Sequence, residues 1–414
     1  MENHNKKASL GGPHNDRTMI FKGLKVIDCA SYIAAPAAAT ILADYGADVI
    51  KIEPPVGDAY RRLAAVIAPE NPHNFGWLLD ARNKKGLALN VAQPEGMAVL
   101  RRLISQADVF ITNFPMGTRQ RLGLTYDKIA PLNERLIYAS FTGYGEAGEE
   151  AGKPGFDSNA YWARSGLMDL VKPEHGAPPA RSVAGMGDHP SALALYGAIV
   201  TALLHRERTG KGSYVGSSLL ANGAWANGFA MQAALCGTSL PPRQPREKSL
   251  NALANHYQTR DGRWLILSVI NEERDWLTLA KCLGREDLIG DPRFTTKPDR
   301  TANAFALTAV FDEVFAQKTL ADWRAILDAA GLIFGIVSRT DDVTTDRQMR
   351  DVDVVVPFEN DTLMTISSPM FIDGVDKAPP RRPPEIGEHT DAVLRAAGYD
   401  DAEIGSLRAC GAVA

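Results

Sequence analysis

Along the N-terminal half of the chain, short continuous apolar runs alternate with stretches whose apolar positions recur every three or four residues. GLKVID at 23–28 reads as a buried strand, Pro36 to Tyr45 as an alanine-rich helix closed by Gly46, and ADVIKIE at 47–53 as a second strand stopped by Pro54 and Pro55. The alternation continues with a strand over 87–91 and a helix over 94–106 that places Met97, Leu100, Leu103 and Ile104 on one face. A strand over 107–112 ends at Asn113, Phe114 and Pro115, and a strand over 136–141 runs into the glycine-rich loop TGYGEAG. Further on, the pattern predicts a helix from Pro190 to Arg208, a strand over 213–217 and one long apolar helix over 219–235. Strand and helix at these intervals predict an α/β, Rossmann-like domain with a mostly parallel sheet covered on both faces.

The pattern then changes. PPRQPR at 241–246 is a stiff, proline-rich linker, and a domain boundary is expected there. Beyond it come a hairpin-like turn at 259–264, a strand over 265–269 and helices near 272–283, 301–317 and 320–330, together a smaller α+β domain. Strands return near 352–357 and 363–367, and two short helices follow a proline-rich segment from Pro379 to Pro384. The expected division is a disordered tail over 1–20, a large α/β part over 21–240, a small domain over 241–350, and a C-terminal part over 351–414.

Composition narrows the function. With 45 basic and 49 acidic residues the net charge is −4, which argues against nucleic acid or an anionic membrane surface as a partner. The four cysteines, Cys29, Cys236, Cys282 and Cys410, have neither disulfide nor metal-ligand spacing and read as buried thiols in a reducing compartment. No metal site is expected. The first 19 residues are polar, without the apolar core of a secretory signal, and no later run has the length of a membrane span, so a cytoplasmic protein is expected. The loop SYIAAPAAA between the first strand and helix lacks the G-x-G-x-x-G of a dinucleotide site. Lys84 and Lys85 in a turn are equally consistent with a phosphate contact and with a solvated turn.

One carboxylate stands apart. In MGDHP at 186–190, Pro190 suits a first helical turn, which makes His189 the expected N-cap and leaves Asp188 one residue outside the helix. The helix dipole there favours an ionised carboxylate, Gly187 permits close approach, and such a group can attack an activated acyl carbon. The plain alternative is a helix-entry aspartate with no chemical role. Strand-end positions Asn113, Phe114, Arg119 and Arg121 fall where ligands bind in open α/β sheets, and Asp157 is either a helix cap or a second acidic group near the site.

GLKVIDCASYIAAPAAATILADYGADVIKIEPP, ARNKKGLALN, ADVFITNF, GFDSNAYWARSGLM, MGDHPSALALYGAIVTALLHRERTGKG, NALANHYQTRDGRW and GEHTDAVL, in this order, resemble the class III CoA-transferases, the family that also contains the α-methylacyl-CoA racemases. The resemblance runs from Gly23 almost to the C-terminus. It implies that Asp188 is the catalytic nucleophile, acylated by an acyl-CoA and then carrying CoA to a free carboxylic acid. It also implies that CoA thioesters are substrates and that no other cofactor is needed. CoA contacts are implied at Ile33 and Ala34, at Leu89, Asn90, Val91 and Ala92, at Asn113 and Phe114, at Arg121, and at Pro154, Gly155, Phe156 and Asp157. An interlocked homodimer, with each large domain built from both chain ends, is implied as well. The alternative is an isomerase, either a racemase or one that shifts CoA between two carboxylates of one molecule; racemases of the family carry a histidine where this chain has Phe156, so the racemase reading lacks a base there. Ile33 and Phe156 suggest an acceptor acid with a large or apolar body.

Overall fold

The computed structural model describes residues 19–414, so most of the expected N-terminal tail lies outside the described residues. These residues form two compact units, one comprising 19–168, 181–238 and 350–414 and the other 169–180 and 239–349.

The first unit is built on six parallel strands: β1 (Lys25–Cys29), β2 (Asp48–Glu53), β3 (Lys85–Ala88), β4 (Val109–Thr112), β5 (Ile137–Thr142) and β6 (Ser213–Ser218). Their order is β3-β2-β1-β4-β5-β6, so the direction of winding reverses between β1 and β4. At such a reversal the loops leaving neighbouring strands diverge and open a crevice beyond the carboxyl ends. β4 is buried along its whole length and β1 at every position but the first, as helices on both faces require.

The helix Ala34–Asp44 is buried at every position, and its small side chains let the helix Asp188–Thr209 pack closely against it. Leu87, Val99, Leu100, Leu103, Ile104, Phe110 and Tyr138 form a core with Val393, Leu394 and Ile404 from the C-terminal helices Thr390–Ala396 and Asp401–Ala409. The returning chain is fastened by hydrogen bonds: the Pro384 carbonyl accepts from Arg61 Nη2 at 2.9 Å and from Trp77 Nε1 at 3.3 Å.

The second unit holds a three-stranded antiparallel sheet, β7 (His256–Gln258), β8 (Trp264–Leu267) and β9 (Phe334–Val337), over a core with Tyr257, Phe311, Phe315 and Trp323. A further antiparallel pair, β10 (Val355–Pro357) and β11 (Met364–Ile366), belongs to the first unit. The α/β class with a separate small α+β part is therefore as expected.

Local expectations are corrected in three places. The long helix over 219–235 is two, Leu219–Ala226 and Gly228–Leu235, because Asn227 turns its amide to the Ser165 carbonyl at 2.8 Å. Lys84 meets neither phosphate nor bulk solvent: it is buried and donates to Asp28 Oδ2 at 2.9 Å, while Lys85 pairs with Asp48 at 2.7 Å. Of the four free cysteines only Cys29 is buried, and Cys236 and Cys410 are exposed. Among the described residues no helix is long and apolar enough to cross a membrane.

Candidate active site

The crevice at the winding reversal is a cavity of about 560 Å³. Residues just beyond β1 (Ser31, Tyr32, Ile33, Ala34), β4 (Asn113, Phe114), β5 (Gly143, Gly145, Glu146) and β6 (Leu219) line it, with Pro154 to Asp157 and Asp188. Four strand ends thus converge on one space, which sequence spacing alone does not reveal.

Asp188 begins the helix Asp188–Thr209, with Gly187 as the N-cap residue and no side chain capping the first turn. His189 is therefore not the cap expected of it; it lies inside the first turn, and its Nε2 stands 2.9 Å from Asp80 Oδ1. Gly187 is fixed by contact: a Cβ there would lie 2.7 Å from Cγ of Tyr161. Its N–H donates to Asp157 Oδ2 at 3.3 Å, which brings the two acidic residues to the same helix entrance. Asp157 itself opens a π-helical turn, Asp157–Ala163, in which the Phe156 N–H donates to Asn159 Oδ1 at 2.8 Å. Such wide turns recur at functional sites because they redirect side chains within a helix.

The electrostatics differ from those expected of a helix dipole. Burial, and then the Asp157 carboxylate, push the Asp188 carboxyl up to about 7, with His189 opposing them and Asp80 adding to them. Desolvation and a like charge outweigh the helix terminus. The carboxylate is consequently less well solvated and more nucleophilic than a surface aspartate.

On the cavity wall, Glu146 accepts hydrogen bonds from Ser140 and Tyr214. Arg119, almost fully buried, stands 2.7 Å from Glu146 Oε1 as an ion pair without in-line hydrogen-bond geometry, and donates from Nε to the Phe114 carbonyl at 2.6 Å. Burial works against the Glu146 charge, yet Ser140, Tyr214 and Arg119 together hold its carboxyl below the usual range. Asn113 ties the β4 end to the β1 loop, accepting from Ser31 N at 2.9 Å and donating to Ser31 O at 2.8 Å. Between them Tyr32 takes a left-handed backbone, φ 63°, and its ring meets Phe156 edge to face at 5.3 Å between centroids.

Ile33, Ala34, Asn113, Phe114, Pro154, Gly155, Phe156, Asp157 and Asp188 thus share one space. Leu89, Asn90, Val91 and Ala92 are not among its lining residues: Leu89 is core and bridges to Val413, while Asn90 N donates to the Ala412 carbonyl at 2.8 Å. Arg121 is exposed and does not line the cavity, whereas Arg119, two residues earlier on the helix Met116–Leu122, does. Sequence reading passed over Glu146, inside the glycine-rich loop after β5, and Asp80 and Tyr60, which carry no motif. A carboxylate within TGYGEAG was the available signal for the first.

A sheet wound 3-2-1-4-5-6, with a desolvated acid at the mouth of a helix beyond its carboxyl edge, defines an α/β protein with an acidic group in its ligand crevice. The chain belongs to CoA-transferase family III, whose model matches residues 21–390. It is similar to (R)-2-hydroxy-4-methylpentanoate CoA-transferase of Clostridioides difficile, 34% identical over 94% of this chain and 98% of that one. Cinnamoyl-CoA:phenyllactate CoA-transferase of Clostridium sporogenes is 30% identical over 95% of this chain and 97% of its own. Among solved structures, a CaiB/BaiF family protein from Brucella suis superposes with a TM-score of 0.83 at 29% identity, covering 92% of this chain and 100% of that one.

Proposed function

We propose that the protein moves CoA from an acyl-CoA thioester to a free carboxylic acid through covalent intermediates on Asp188. The observation that carries this reading is a desolvated, half-buried carboxylate on the wall of a 560 Å³ cavity at the strand ends. An Asp188 oxygen attacks the thioester carbonyl and expels CoA thiolate, leaving an acyl-aspartyl anhydride. The thiolate attacks the aspartyl carbonyl, releasing the donor acid and forming an aspartyl-CoA thioester. The acceptor carboxylate then attacks the aspartyl-CoA carbonyl and expels CoA thiolate, leaving an acceptor–aspartyl anhydride, and the thiolate attacks the acceptor acyl carbon to form the new acyl-CoA and free the Asp188 carboxylate. Each exchange conserves an activated acyl bond, so the cycle balances without ATP, metal or redox cofactor.

Each step develops an oxyanion, and backbone N–H donors of the glycine-rich wall are suited to it. Gly143 and Gly155 approach so closely that a Cβ on Gly143 would lie 3.1 Å from Gly155 Cα. In this reading the CoA thioester enters along Ile33, Ala34, Asn113, Phe114 and the 154–157 segment. The apolar faces of Tyr32, Ile33 and Phe156 favour an acceptor with a branched or aromatic body, in line with the acids in the names of the two relatives above. The racemase form of the isomerase alternative needs a second acid/base group at 156, where a phenyl ring cannot exchange a proton, whereas an intramolecular shift of CoA between two carboxylates of one molecule would use the same Asp188 chemistry.

The acting unit is proposed to be an interlocked homodimer in the cytoplasm. Trp225, Phe229 and Leu235, exposed by 87%, 82% and 78%, are a large apolar surface for a lone chain, and free thiols fit a reducing compartment.

Intact-mass analysis after mixing with succinyl-CoA, acetyl-CoA or isobutyryl-CoA alone tests the mechanism. An adduct that maps to the Asp188 peptide is expected with at least one donor, followed by transfer when branched or aryl acids are added. Turnover with no adduct trapped in rapid quench would refute the covalent route.

A further inference from the structure

We infer that His189, held by Asp80, which Tyr60 in turn fixes, is a positioning residue whose imidazolium charge offsets the carboxylates crowded around Asp188. The inference rests on Asp188 being the nucleophile but concerns a residue that the covalent cycle itself does not use.

The clamp is built from both sides. Asp80, only 3% exposed, presents Oδ1 to His189 Nε2 at 2.9 Å and accepts from Tyr60 Oη at Oδ2 at 2.6 Å. The backbone carbonyl of Asp80 accepts from Lys84 Nζ at 3.0 Å and from Thr40 Oγ1 at 2.5 Å, which pins the helix end that carries it. On the other side Gly185, at φ +84°, leaves room for the ring: a Cβ there would lie 2.9 Å from Cε1 of His189 and 3.0 Å from Nδ1. The His189 N–H also donates to the Gly185 carbonyl at 3.0 Å. A histidine that served only to fill space would need neither a buried carboxylate nor a glycine shaped to its ring.

The charges around it give the clamp a purpose. Asp157 from the π-helical turn and Asp80 from the helix Phe75–Asp80 both oppose ionisation of Asp188, and His189 is the group that favours it. Burial works against a charged His189, yet the hydrogen bond and charge of Asp80, with Asp188 and the Gly185 carbonyl, raise its pKa above the ordinary value. Tyr60, whose own proton is held firmly by burial and by Asp80, feels Asp188 and Asp58 as well and remains a donor. Lys84, the nearby ammonium, is turned to Asp28 Oδ2 and to the carbonyls of Pro36 and Asp80. The charge that answers Asp188 is thus carried by a neighbour in its own helical turn.

The full-length protein tests this without any knowledge of its substrates. Aspartate carboxyl carbons are labelled with ¹³C, the Asp188 resonance is assigned by its absence in Asp188→Asn, and its titration is followed in the wild type and in His189→Gln. Glutamine preserves a hydrogen-bond donor to Asp80 and removes the charge. The Asp188 midpoint is expected to rise by about one pH unit, a roughly tenfold smaller ionised fraction at a fixed pH below it. In Asp80→Asn the His189 ring titration, followed at its Cε1 proton, is expected to move to lower pH. An Asp188 midpoint unmoved in His189→Gln, or a His189 midpoint unmoved in Asp80→Asn, overturns the inference. If both midpoints move while acyl-CoA never labels Asp188, the inference about the charge stands and the covalent mechanism falls.

Discussion

Two groups of buried carboxylates lie along the same sheet edge, and they are treated in opposite ways. Asp28 and Asp58 are neutralised: Lys84 sits 2.9 Å from Asp28, and Lys51 sits 3.0 Å from Asp58 and 4.0 Å from Asp28. Asp58 also accepts from Ser31 Oγ at 2.7 Å and from Tyr60 N at 3.0 Å, and its carboxyl is held below the usual range although burial resists the charge. Asp188 and Asp157, by contrast, share a helix entrance with no lysine or arginine among the described residues bonded to either, and Asp188 is pushed up to about 7. A compensated charge is architecture, since it holds the β1 loop and resists change. A carboxylate left beside another carries free energy that bond formation can release.

Substitutions at the two groups should therefore separate activity from stability. The largest effect is expected for Asp188→Asn: transfer, read by product mass, falls by roughly a thousandfold or more because the proposed nucleophile is removed. Stability moves the other way. A carboxyl whose pKa is raised on folding costs stability once pH exceeds its unfolded value, and the cost is complete above its folded value near 7. Asp188→Asn should thus raise Tm at pH 8 and leave it nearly unchanged at pH 3, as thermal melts at the two pH values would show.

Lys84→Met acts on the other group. It removes the nearer of the two lysines beside Asp28, leaving Lys51 at 4.0 Å, and is expected to cost about 3 kcal/mol in urea unfolding, a loss of fold rather than of chemistry. Asp157→Asn should have a middling effect, removing the like charge and lowering the Asp188 midpoint by about one unit, so that the acid limb of adduct formation moves toward lower pH. In the wild type that limb is expected near pH 7, with the adduct rate rising as Asp188 ionises. Arg121→Ala should do least. An exposed side chain outside the cavity is expected to leave CoA affinity and Tm nearly unchanged, within about 0.5 kcal/mol, whereas Arg119→Ala should distort the Glu146 wall and weaken CoA-thioester binding, each measured by calorimetry.

The reach of sequence reading follows the same division between local and long-range physics. Periodicity located all six parallel strands, most plainly β4, an apolar run buried along its whole length, and less plainly β6, which is partly exposed; the proline-rich linker precedes the small antiparallel sheet. The Gly187-Asp188 element was visible because a glycine, an acid and a proline at a helix entrance are a local arrangement. What failed was nonlocal. His189 was read as a cap, since nothing nearby in sequence announces Asp80, which is 109 residues away. Strand-end proximity singled out Arg119 and Arg121 alike and the family resemblance pointed to Arg121, yet only Arg119 lines the cavity, because sequence position does not tell which side of a short helix turns inward.

The order of hydrophobic and polar residues, then, determined the alternation of strand and helix, the domain grammar and the family motifs, because backbone geometry imposes periods of two and 3.6 residues on any chain that buries one face. Tertiary structure alone decided which acids would be neutralised and which left in tension. The free energy of a buried charge depends on the distance to every other charge and on the water excluded between them, and those distances exist only once strands far apart in sequence lie side by side.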